Sequence, residues 1–221
     1  MCGRFGEARM ENLQELFGAT LKDSSGTPQR FNVCPKQSIL VLKQDKTGNR
    51  TLEQLQWWFT PSWAKDQKMT MINAKSETIF EKPSFRSAIK SRRCIVPAGW
   101  FYEWKKEGCT KQPYSISIKN ANVIPMAGIW ETWHNPETDA DIDTVSILTT
   151  SSNEQVSSLH DRMPVILQQD DFDLWLGDAP KEDIAPLLVP FAGEMEIYPV
   201  STFVNKVGNE GSACAERLNS L

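Results

Sequence analysis

Residues 111–130, KQPYSISIKNANVIPMAGIW, decide the fold class. Tyr114, Ile116 and Ile118 alternate with Ser115, Ser117 and Lys119, the two-residue period of a strand with one buried face, and a second strand-like run follows at Val123–Ile129. Working outward, Ser38–Leu42, Leu52–Phe59, Cys94–Pro97 and Thr144–Thr149 carry the same signal, and their spacing suits a largely antiparallel sheet or barrel. Met10, Leu13, Leu16 and Phe17 fall at helical spacing before Gly18, so a helix is expected over Met10–Phe17. Glu154–Leu159, Asp170–Leu176 and Lys181–Leu188 read as short helices, the last two punctuated by Gly177, Pro180 and Pro190. No βαβα alternation occurs, which argues against a doubly wound sheet. The expectation is an α+β chain whose mostly antiparallel strands form a barrel-like or sheet core flanked by short helices.

The 221 residues, 40% hydrophobic and 24% charged, are enough for a sizeable core, and no linker or internal repeat divides them, so residues 1–221 are expected to form one domain. No apolar run approaches the ~20 residues of a membrane-spanning helix, and MCGRFGEARM lacks the apolar region of a secretory signal. A soluble, cytoplasmic monomer without membrane contact is expected. Cys2, Cys34, Cys94, Cys109 and Cys214 are scattered with no CxxC pair, which points to free thiols and to no metal or other cofactor.

Charge is segregated along the chain. Between Lys82 and Lys119 nine Lys and Arg face only Glu103 and Glu107, a net +7, whereas Glu131–Glu196 holds fifteen acids against Arg162 and Lys181, a net −13. Trp57, Trp58, Phe59, Trp63, Trp100, Phe101, Tyr102 and Trp104 lie beside or inside the basic band. Cations next to stacking surfaces suit unpaired nucleic acid, although most of these rings are expected in the core.

The chemistry begins at Cys2. Removal of Met1 would leave a 1,2-aminothiol, with an α-amine near pKa ~8 and a thiol near ~8.5, so a usable fraction of each is nucleophilic at neutral pH. Such a pair captures an aldehyde as a Schiff base and then closes a five-membered thiazolidine. Three further groups suit that reaction. Glu103 stands among Trp100, Phe101, Tyr102 and Trp104, an apolar setting that raises a carboxylate toward the general acid–base range. His160 is the better placed of two histidines, the other being His134. Asn73 and Lys75 alternate on an extended segment, one to orient a sugar and one to meet a phosphate.

Taken together, MCGRF, FNVCP (31–35), PSWAKD (61–66), INAKSET (72–78), KPSFR (82–86), RCIVPAGWFYEW (93–104), MAGIWE (126–131), ILTTSSN (147–153), HDRMPVIL (160–167) and VSTFVN (200–205) resemble the SRAP domain family of abasic-site-processing proteins. The resemblance implies a protein that crosslinks itself to abasic sites in single-stranded DNA through a thiazolidine on Cys2. Carried over by position, Asn73 holds Cys2 and the sugar, Glu103 shuttles protons and His160 assists ring opening. By the same matching, Arg4, Asn32, Pro35, Trp63, Lys75, Arg86 and Thr149 line the DNA path. Lys75 stands where the family has arginine, and Trp58 and Trp100 stand where it has glycine, so added bulk on the DNA-facing surface is expected. Two other readings remain open from the residues: an N-terminal-cysteine peptidase or amidohydrolase with His160 as base, and a non-catalytic single-strand binder.

Overall fold

The computed structural model describes residues 2–22 and 29–218; Met1, and with it the expected removal of Met1, lies outside them. The strands are β1 (Phe5–Glu7), β2 (Thr20–Leu21), β3 (Ser38–Gln44), β4 (Arg50–Gln56), β5 (Asn73–Lys75), β6 (Arg93–Glu107), β7 (Thr110–Ile118), β8 (Ile124–Asn135), β9 (Ala140–Ser151), β10 (Arg162–Pro164) and β11 (Met195–Pro199). The helices are α1 (Met10–Phe17), α2 (Ala88–Ser91), α3 (Glu154–Ser157), α4 (Phe172–Leu176) and α5 (Lys181–Ile184). No helix among the described residues is long and apolar enough to cross a membrane.

Five strands close into a barrel, in the order β3–β4–β9–β8–β6 and back to β3, and the fold is α+β as the strand pattern implied. All of these pairings are antiparallel except β4 with β9, which meet in parallel at Gln56 and Thr144. The sheet then extends from β6 through β7 to β11, while β1 pairs with β6 and the short β5 and β10 pair with β9.

Alternation along the barrel strands divides the core in two. Leu40, Leu42, Leu52, Ile95, Ala127, Ile129 and Leu148 pack with Leu13 and Phe17 of α1 and with Phe172, Trp175 and Leu176 of α4, so this set faces outward beneath the helices. Ile39, Val41, Leu55, Cys94, Val96, Val145 and Ile147 form the opposite set, which fills the barrel and reaches Cys2 and Phe5 of the amino-terminal segment. Helix α1 ends where the sequence implied, because Gly18 adopts a left-handed φ of 57° and its N–H caps Gln14 at 3.1 Å. The barrel interior also requires Gly128: a Cβ there would lie 2.9 Å from the Cys94 sulfur. Gly128→Ala is expected to destabilise the fold by about 1–3 kcal/mol in urea unfolding, with partial recovery in the Cys94→Ala/Gly128→Ala double variant.

The basic band is less available than its sequence suggests. Arg93 is buried, and its guanidinium donates to the carbonyls of Ile89, Lys90, Trp175 and Gly177. Arg92 pairs with buried Glu131 at 2.7 Å and Lys119 with Glu194 at 2.7 Å. These three cations hold elements together, so the electrostatic grip expected of them falls to the rest of the band. Of the eight aromatics, Trp57, Phe59, Phe101 and Tyr102 are buried and Trp63 is the one large exposed ring, at 56%.

Candidate active site

The amino-terminal segment is laid against β6. Phe5 pairs with Phe101, and the Tyr102 N–H donates to the Arg4 carbonyl at 2.9 Å, so the antiparallel register brings Cys2 and Gly3 up to the part of β6 that carries Glu103. Two glycines make the approach possible. Gly3 separates Cys2 from Arg4, and at Gly6 an added Cβ would fall 2.1 Å from the Trp100 indole. That indole belongs, with Tyr102 and Trp104, to an aromatic cluster on the face of β6 opposite Glu103. The bulk of Trp100 is therefore spent on the amino-terminal segment and on Phe31, 5.4 Å away, and not beside Glu103.

Asn73 arrives from the other side. It opens β5, paired in parallel with Ile147 of β9, and its Nδ2 donates to the Cys2 carbonyl at 2.9 Å. Its Oδ1 is buried without a hydrogen-bond partner among the described residues. A buried amide oxygen in that state is costly unless a bound molecule supplies a donor, and a sugar hydroxyl has the right chemistry.

Cys2 is fully buried. Burial, and then the Glu103 carboxylate, push its thiol well above the ordinary thiol range. This corrects the expectation of a usable thiolate fraction: the resting thiol is neutral and has to lose its proton as it attacks. Glu103, 3% exposed, is the group suited to take it. Burial raises its carboxyl from 4.5 to about 7, against the downward pull of the chain's terminal amine and with a smaller upward push from Asp161. A carboxyl half protonated near neutral pH can both give and take a proton.

His160 follows α3, whose N-cap Asn153 accepts from the Val156 N–H at 3.0 Å. Its Nδ1 accepts from the Arg162 N–H at 3.0 Å, which leaves the proton of the neutral ring on Nε2. The same nitrogen lies 2.7 Å from Asp161 Oδ1, a contact that becomes a hydrogen bond only when the ring is protonated. Burial keeps the imidazole below its ordinary pKa, partly offset by Asp161, so the neutral form is the resting one. His134 instead sits on the β8–β9 hairpin between Asp139 and Asp141.

The remaining candidates divide by exposure. Lys75 and Arg86 are exposed, and Trp63 is displayed on a turn fixed by the Trp133 Nε1–H to Ala64 carbonyl bond at 2.7 Å. Pro35 is half-buried in a turn with Lys36, whose φ is 71°. Among the described residues none of these four makes a hydrogen bond or ion pair to Cys2, Asn73, Glu103 or His160. Thr149 is buried, and its carbonyl and hydroxyl accept from Arg162 at 2.6 and 3.3 Å. Asn32 is also buried, with Oδ1 on Arg4 and Nδ2 shared among the Val204, Lys206 and Asn209 carbonyls. Sequence reasoning passed over Arg162 and Asp161. Arg162 clasps Glu77 and Thr149 and so ties β10 to β9 and to the segment after β5, and its one legible signal was a cation beside His160 in an acidic stretch.

A family model for SOS response associated peptidase (SRAP) matches residues 1–207. The chain belongs to the SRAP family. Among curated SRAP relatives, abasic site processing protein YoqW of Bacillus subtilis is 40% identical over 98% of this chain and 99% of its own length. Abasic site processing protein HMCES of Gallus gallus is 30% identical over 97% of this chain and 77% of its own length. A crystal structure of a protein from Bacteroides thetaiotaomicron superposes with a TM-score of 0.88 at 29% identity, covering 99% of this chain and 100% of that one. The SRAP match spans all four groups placed around the amino terminus, from Cys2 to His160.

Proposed function

We propose that this SRAP chain processes abasic sites in single-stranded DNA by forming a thiazolidine between Cys2 and the lesion. The names of its curated relatives support the substrate. The observation that carries the chemistry is a buried Cys2, held by Asn73 through its carbonyl and facing a carboxyl whose pKa is about 7.

With Met1 removed, the Cys2 α-amine attacks the C1′ aldehyde of the ring-opened sugar. Neutral His160 gives its Nε2 proton to O4′ as the ring opens and takes up the C1′ hydroxyl proton on the same nitrogen, with a sugar hydroxyl donating to Asn73 Oδ1. Protonated Glu103 gives its proton to the carbinolamine oxygen, water leaves, and an iminium remains. The thiol then adds to the iminium carbon, Glu103 accepts its proton, and the five-membered ring closes. Aldehyde and aminothiol become thiazolidine and one water, with no oxidant or reductant.

A denaturing gel with uracil-excised single-stranded DNA tests this. A heat-stable shifted band is expected; retention on a native gel alone would support a simple binder, and neither would support a hydrolase. Lys75 and Arg86 serve binding in this reading. Lys75→Ala and Arg86→Ala are each expected to flatten the dependence of log affinity on log salt by ~0.7, and to crosslink at the wild-type rate once DNA is saturating.

A further inference from the structure

The reacting groups of Cys2 sit at a chain end, where backbone freedom is greatest, and Gly3 adds to it. Asn73 holds the Cys2 carbonyl at 2.9 Å, and Arg4 is the next residue along the chain whose side chain is anchored. The Val204 carbonyl takes the Arg4 Nη1–H at 2.7 Å, and Asn32 Oδ1 takes the other at 2.7 Å. The guanidinium carbon also lies 5.7 Å from the centre of the Trp104 ring. That indole is itself held, because its Nε1–H donates to Asn205 Oδ1 at 2.7 Å. Two consecutive residues of the C-terminal segment thus reach Arg4 by different routes, one directly and one by fixing the ring beneath it.

The segment that presents them is well braced. Asn32 Nδ2 binds the Val204, Lys206 and Asn209 carbonyls at 3.2, 3.2 and 2.9 Å. Asn209 Nδ2 binds the Phe203 carbonyl at 2.7 Å, and the Phe31 N–H binds Glu210 Oε2 at 2.7 Å. The Asn205 side chain is exposed, so it adds nothing to the core. What it does contribute is the acceptor that fixes Trp104.

We propose that Asn205 is a positioning residue for Cys2, acting through Trp104 and Arg4 to aim the amino-terminal aminothiol at its aldehyde. The proposal rests on the thiazolidine reading above. Misaiming a reacting group by a fraction of an ångström slows the step without touching affinity.

The test compares Asn205→Ala with Asn205→Asp in full-length protein that begins at Cys2 by intact mass. Aspartate keeps an acceptor oxygen for the indole N–H, and alanine does not. Single-turnover rates are measured on saturating uracil-excised single strands, beside affinity for undamaged single strands and urea midpoints. Alanine is expected to slow adduct formation about 10-fold with affinity and midpoint unchanged, and aspartate to restore the rate to within about 3-fold of wild type. An alanine variant at the wild-type rate, an aspartate variant as slow as alanine, or a loss that tracks affinity or midpoint overturns the proposal. Wild-type protein that forms no heat-stable adduct overturns instead the thiazolidine reading, and the proposal with it.

Discussion

Cys2→Ala is expected to abolish the heat-stable adduct with abasic single strands while leaving affinity for undamaged strands nearly unchanged. The ring needs an amine and a thiol on adjacent carbons, and an internal cysteine or a lysine offers only one of the two. Cys34, Cys94 and Cys214 are buried and Cys109 sits at the β6–β7 turn, so no other thiol can stand in at the amino terminus. Cys2→Ser separates the two steps. Its amine still forms a Schiff base that borohydride traps, and that adduct is expected to be lost on heating when borohydride is omitted. Denaturing gels with and without borohydride read both outcomes, and wild-type levels of heat-stable adduct from Cys2→Ala would remove Cys2 from the chemistry.

Glu103→Gln carries the second large effect. Loss of the proton shuttle is expected to slow single-turnover adduct formation by ~10²–10⁴-fold at saturating DNA. The pH profile identifies the group. Wild-type rates should climb as the α-amine, with pKa ~8, loses its proton, and should fall as Glu103 ionises above about 7, giving a maximum between those values. Glutamine should keep the climb and lose the fall.

Stability should move the other way. Folding raises the Glu103 pKa from 4.5 to about 7, so the folded state favours the protonated carboxyl. That contribution is complete below about 4.5 and is lost as pH rises through about 7, amounting to on the order of 3 kcal/mol. Glu103→Gln is therefore expected to unfold at higher urea than wild type at pH 8 and at similar urea at pH 4.5. Equal midpoints at pH 8 would mean that burial does not strain the ionised carboxylate, and with it the basis for a proton shuttle near neutrality.

Strand β7 was legible from the alternation at Tyr114–Ile118, whereas barrel strand β3 showed as a short continuous apolar run because both of its faces are buried. Strand β6 was read as ending at Pro97 and in fact runs to Glu107. Proline ordinarily interrupts a ladder, but here Pro97 lies opposite Pro125, so two residues without N–H groups face each other and pairing resumes beyond them. Strands β1 and β10 carry too few residues to show a period, and the pairing partners of β1 and β11 lie far away in sequence. The same distance hid the site's assembly. Cys2 and Asn73 meet because β1 leans on β6 while β5 leans on β9, a juxtaposition that no local pattern records. The raised carboxyl of Glu103 was legible from its aromatic neighbours in sequence, although three of those rings, Trp100, Tyr102 and Trp104, lie on the other face of the strand. The neutral thiol of Cys2 was not legible, since burial of a chain's second residue leaves no trace in composition.

The most direct test of the account is intact and peptide-level mass spectrometry of the adduct formed with uracil-excised single-stranded DNA, without borohydride. The account expects the mass of the protein beginning at Cys2 plus the DNA less one water, with Cys2 alone among the thiols changed and protected from alkylation after denaturation. An adduct on a lysine, or one in which Cys2 still alkylates, would contradict it.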